Sequence, residues 1–90
     1  MSPDTPSANA PRLSEKHNVL DEIIQERAAQ DAQWGGAFHD DSHDLFEWFI
    51  YIDKQIRLGR NTSNPIEYES RMVKIAALAV AAIESSRRHR

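Results

Sequence analysis

Arg71 raises the first chemical question in this chain. At 100° per residue along a helix it falls between Ile75 and Leu78, inside an apolar sector, with Ala82 further along the same line and Lys74 at the sector's edge. A guanidinium among apolar side chains needs a partner, because an unpaired buried charge is strongly unfavourable. Asp53, which falls between Phe46 and Phe49 on the preceding helix, can supply an internal ion pair; the alternative is a bound anion. A different chemistry is offered by His39-Asp40-Asp41-Ser42-His43. Imidazole nitrogens and a carboxylate suit zinc, nickel or manganese, so His39, Asp40 and His43 are candidate ligands if the segment wraps into a turn. The same residue types also cap helices and bond turn backbone. Glu22 and Glu26, one helical turn apart, with Asp31 make an acidic face that can share a divalent metal or simply meet water.

Other constellations are missing. There is no cysteine, no Gly-x-Ser-x-Gly elbow, no Gly-rich phosphate loop followed by Lys and no His-Glu-x-x-His. Trp34, Phe38, Trp48, Tyr51 and Tyr68 can stack on a base or fill a core. The cationic run Arg87-Arg88-His89-Arg90 can touch an anionic partner, and it also complements the negative end of a helix.

The elements that position these groups read as helices throughout, with no alternation long enough for a strand. Residues 1–12 hold three prolines and almost no bulky apolar side chain, which predicts a loose tail before a single domain over 13–90. A first helix is expected from Ser14, as N-cap, to about Gln33, closed by Trp34-Gly35-Gly36. A second is expected from about Ser42 to Leu58, with Asp41 or Ser42 as cap and Gly59 just beyond its end. Apolar residues lie on most sides of it: Leu45, Trp48, Phe49, Ile52 and Ile56 share one sector, while Phe46, Ile50, Tyr51 and Leu58 fall outside. A helix buried on more than one face predicts a second subunit. Asn64-Pro65-Ile66-Glu67 is a strong start for a third helix reaching about Ser86, whose Ile75 to Ile83 stretch is rich in small side chains.

The chain has 90 residues and a net charge of −3, divided unevenly. Residues 1–50 carry ten acids against three bases, whereas residues 51–90 carry eight bases against four acids. Halves that attract one another, or a basic site for an anion, explain this division; nonspecific duplex binding is disfavoured by the overall acidity. So small a domain buries little of its surface, and without cysteine it cannot add disulfides or thiolate zinc sites, which leaves self-association. No signal peptide or membrane span is expected, and the cysteine-free composition fits a reducing cytoplasm.

The string Glu26-Arg27-Ala-Ala-Gln30-Asp31-Ala-Gln-Trp34-Gly35-Gly36, then His39-Asp40-Asp41, Trp48 and the alanine-rich Ile75 to Glu84, resembles the small MazG-like proteins common in phages and prophages. These are related to the all-α nucleoside triphosphate pyrophosphatases, and the resemblance covers about residues 19–86. It implies a helical bundle completed by dimerisation, in which active relatives use Glu-Glu-x-x-Glu on one helix and Glu-x-x-Asp on the next to hold magnesium against a nucleotide's phosphates. Counted from Trp48, the first motif falls on Lys54, Gln55 and Leu58; counted back from Ile75, the second falls on Arg71 and Lys74. None is a carboxylate, so that magnesium site cannot be assembled from these positions.

The resulting expectation is an all-α, three-helix, hairpin-based bundle completed by homo-oligomerisation. Lys54, Arg71 and Lys74 would meet phosphate oxygens directly, and Tyr51, Gln55, Leu58 and Leu78 would line the same cleft. No cofactor is required for such binding, and sequestration of a nucleotide or nucleotide-derived signal, in a phage setting a counter-defence, would follow. The rival readings are a divergent metal-dependent nucleotide pyrophosphohydrolase, with a divalent ion as cofactor, and a protein-protein interaction module built on the apolar second helix.

Overall fold

A computed structural model describes residues 10–36, 40 and 43–89, and every regular element among them is an α-helix. α1 spans Ala10–Trp34, α2 Leu45–Gly59 and α3 Pro65–Arg88. Residues 1–9 of the expected tail, His39, and Asp41 and Ser42 of the acidic link lie outside the described residues.

Local chemistry explains where each helix starts and stops. α1 begins at Ala10, so Ser14 lies inside it instead of capping it, and residues 10–12 belong to the helix. Pro11 is no obstacle there, because first-turn N–H groups have no intrahelical acceptor. The end is as expected: Gly35 and Gly36 take φ values of 99° and 68°, and the Gly35 N–H donates to the Asp31 carbonyl at 2.9 Å. α2 starts at Leu45 with Asp44 as its cap, later than the expected Ser42. Asp44 Oδ1 accepts from the Phe46 N–H at 2.7 Å, and Glu47 Oε1 accepts from the Asp44 N–H at 3.4 Å. This capping box satisfies two donors at once, which outweighs a single cap further upstream. At α3, Asn64 Oδ1 accepts from the N–H groups of Ile66 and Glu67 at 2.9 and 3.4 Å. Asn64→Ala is expected to lower stability by about 1 kcal/mol, read as a shift in the urea midpoint at unchanged slope.

α3 is central. It packs against α1 and against α2, and those two do not approach each other. α2 and α3 form an antiparallel hairpin in which Gln55 meets Arg71 while Trp48, Leu78 and Ala81 cluster together. Ala77 and Ala81, one turn apart on α3, are 0% and 1% exposed; such small side chains let neighbouring helices come close. The buried apolar core is short: Trp48, Ala77, Leu78 and Ala81, with Ile52 and Ala82 half-buried around it. The radius of gyration is 16.5 Å, where a compact chain of this length would have ~12 Å.

α2 turns inward one edge of the sector its apolar residues mark, Trp48 and Ile52, and leaves the rest of that sector outside. Trp48 is 4% exposed, but Phe46 is 76% and Phe49 69% exposed, and Leu45, Ile50 and Ile56 are exposed as well. The buried edge runs through Trp48, Ile52, Gln55 and Gly59. Asp53 therefore points outward and pairs with Arg57 at 3.0 Å on the surface, so the expected internal pair of Asp53 with Arg71 does not form. α1 is fastened mainly by charge. Arg27 donates to Asp31 at 2.9 Å, to Glu84 of α3 at 3.0 Å and to Asp40 at 3.5 Å. Burial opposes its charged form, but the bonds to Glu84 and Asp31 outweigh it and hold the guanidinium above its ordinary pKa.

Candidate functional site

A cavity of about 300 Å³ is lined by Gln30 and Trp34 of α1, Asp40 and His43 of the connection, Trp48, Tyr51, Lys54 and Gln55 of α2, and Leu78 of α3. It exists because α3 holds α1 and α2 apart: the two outer helices contribute walls that never meet. Its volume lies at the lower end of small-ligand sites.

The aromatic part is preorganised. His43 meets Trp48 and Tyr51 edge-on at centroid distances of 5.3 and 5.2 Å, and Trp48 meets Tyr51 at 6.4 Å. His43 Nδ1 sits 2.8 Å from Glu47 Oε2, which fixes the ring against the first turn of α2. Edge-to-face packing braces the three rings against one another, and Tyr51 keeps the most exposed surface of the three. The buried Trp48 Nε1–H has no acceptor among the described residues.

The polar part lies further along α2. Lys54 is exposed on the cavity wall and makes no ion pair among the described residues. Behind Gln55, the Arg71 guanidinium donates Nη1–H to Gln55 Oε1 at 3.0 Å, while its buried Nε–H has no acceptor among the described residues. Arg71 fits because Gly59 has no side chain: a Cβ there would stand 2.9 Å from Arg71 Cγ. Its partner is thus a neutral amide, and among the described residues no carboxylate pairs with its charge.

Of the seven residues expected in a phosphate cleft, Tyr51, Lys54, Gln55 and Leu78 line this cavity, and Arg71 stands directly behind it. Leu58 is half exposed and outside the lining. Lys74 is committed elsewhere, 3.4 and 3.5 Å from the two Glu26 carboxylate oxygens. The metal candidates fare differently. Asp40 and His43 are on the cavity wall, but Asp40 accepts from Arg27 and His43 is held by Glu47. Among the described residues no cluster of three or more His, Cys, Asp or Glu side chains has the arrangement to hold a metal ion. In the acidic face, Glu26 is bound to Lys74 and Gln30, and Asp31 to Arg27.

No family model, curated protein or solved structure matches the chain. Among the described residues no helix is long and apolar enough to cross a membrane. Gln30 is a cavity residue that sequence reasoning missed, and Trp34, named there as a ring able to stack on a base, was not placed in this cleft. Their i, i+4 spacing puts both on one face of α1, a usable signal.

Proposed function

We propose that this chain binds a phosphate-bearing nucleotide, or a signal derived from one, in the cavity between α1 and α2, and does not hydrolyse it. The observation that carries the proposal is the positive charge beside the cavity: among the described residues Lys54 makes no ion pair and Arg71 is held by the neutral Gln55 amide. Aromatic rings stand near the start of α2, and Lys54 comes six residues after Trp48, about 9 Å along the helix axis. A nucleotide separates its base from its phosphates over a comparable span. The unpaired Trp48 Nε1–H would gain an acceptor from a base or sugar.

The MazG resemblance supports the same reading, with cations where relatives hold magnesium. The cation set is Lys54 and Arg71, since Lys74 is neutralised by Glu26. Without carboxylates at those positions there is no metal-activated water, so binding ends in sequestration, which in a phage would blunt a host nucleotide signal in the cytoplasm. The protein acts as a homo-oligomer: so short a core and so much exposed apolar surface on α1 and α2 call for a second subunit.

Isothermal calorimetry with inorganic phosphate and a panel of nucleoside mono-, di- and triphosphates tests the proposal. Wild type is expected to bind at least one nucleotide, Lys54→Ala to weaken it about tenfold, and Arg71→Glu to abolish it. Lys54 is exposed, so its variant reports on binding even if Arg71→Glu folds poorly. Absence of binding throughout, or affinity indifferent to both substitutions, overturns the site. Pyrophosphate release dependent on magnesium or manganese overturns the non-hydrolysing role in favour of the enzyme.

A further inference from the structure

The N-terminal part of α1 stands away from the buried core. The helix docks on α3 where Glu26 meets Lys74 and Arg27 meets Glu84, but every side chain from Ser14 to Glu22 is exposed, as is Ile24 at 64%. Val19, Leu20 and Ile24 present an exposed apolar stripe among the described residues. A helical arm of this length has little stability in water unless a surface holds it.

An apolar groove of complementary character runs between α2 and α3. Leu45, Phe49 and Ile52 form one wall, and Ala82, Ile83 and Arg87 the other. Trp48 borders both this groove and the cavity, so its indole separates the two. Phe49, Leu45 and Ile83 are more than half exposed, while the small residues of α3 keep their wall shallow enough for a helix to settle. The charges also match. Glu15, Asp21 and Glu22 against Lys16 make the arm acidic, and Arg87 is the charged residue in the groove lining, with no ion pair among the described residues.

We infer that the exposed half of α1 in one protomer seats in the α2–α3 groove of a second copy, Val19, Leu20 and Ile24 meeting Phe49 and Ile83 while Asp21 or Glu22 faces Arg87. Each copy carries both arm and groove, and a reciprocal exchange about a two-fold axis closes as a dimer and leaves neither arm nor groove open to a third copy. It covers apolar surface on α1 and α2 together, the two places where this chain lacks it. The inference rests on the self-association proposed above and is independent of the nucleotide reading, so calorimetry without a binding signal leaves it untouched.

The native chain has no cysteine, which makes cross-linking clean. Chains carrying only Leu20→Cys, mixed with chains carrying only Ile83→Cys, are expected to join through a short bis-maleimide far more efficiently than either variant joins itself. In sedimentation velocity at micromolar concentration the wild type is expected as a dimer. Leu20→Glu is expected to raise its dissociation constant on the order of a hundredfold, with helicity by circular dichroism preserved in the dimer that remains at high concentration. A monomeric wild type, a Leu20→Glu variant that dimerises like wild type, or Phe46→Cys chains that join one another in preference to the mixed pair each overturn the inference. The last outcome would place the interface on the outer face of α2.

Discussion

Trp48→Ala is expected to leave most of the chain unfolded at room temperature, at a cost of ~3–5 kcal/mol. The size of the effect follows from how little else is buried. Among the described residues the buried apolar side chains besides Trp48 are Ala77, Leu78 and Ala81, none of which carries a ring. A chain of this length is stabilised by only ~5–13 kcal/mol when well packed, and this one is not. Urea titration followed by circular dichroism measures the loss. Trp48→Phe separates two contributions of the same side chain. It keeps an aromatic ring in the core and removes an N–H that has no acceptor, so it is expected to cost ~1 kcal/mol or less. Should that N–H meet a nucleotide, the same variant would bind it about tenfold more weakly while remaining folded.

Arg27→Met is expected to cost ~2–3 kcal/mol although it keeps most of the apolar stem. One guanidinium serves three carboxylates, Asp31 on its own helix, Asp40 in the connection and Glu84 on α3. Asp31 and Glu84 are partly exposed and water replaces much of what they lose; Asp40 is buried and bears most of the penalty. Because α1 has few apolar contacts with α3, the loss should appear as fraying of α1 before global unfolding, visible as faster amide exchange in residues 23–34. The sign of the pH dependence follows from the raised pKa. The stabilisation is complete below the ordinary arginine value and is lost only as pH rises through the higher folded value, so the difference between variant and wild type should be flat across neutral pH. A difference that changed sharply near neutrality would mean that another group carries the contact.

The helices were legible because their signals are local. Gly35-Gly36 and Asn64-Pro65 act within one turn, and both termini fall where the residues place them. The start of α2 was misplaced because three acids and a serine compete for one role over residues 40–44, and only the reciprocal Asp44 and Glu47 bonds decide it. The orientation of α2 was not legible. Phe46, Phe49, Ile50 and Trp48 are about equally apolar, and which of them turns inward depends on where α3 lies, a property of the pair. Angular placement sets Asp53 among the apolar residues, so of the two partners expected for Arg71 the Asp53 ion pair does not form. The surroundings of Arg71 depended on Gly59, whose missing side chain is as important as any group present. For the cavity, α2 could be read from angular placement, but the wall from α1 required knowing that the two outer helices stand apart.

That α3 alone touches both neighbours has a consequence for how the chain is made. On the ribosome α1 emerges before the surface it docks on, since that surface belongs to α3, which is translated after both α1 and α2. α2 and α3 are close in sequence and can pair as soon as the second of them clears the exit tunnel. The polar, ion-paired seam of α1 suits this order. A helix that must wait tens of residues for its partner is less prone to clump with other nascent chains if its docking side carries glutamate, arginine and glutamine in place of leucine.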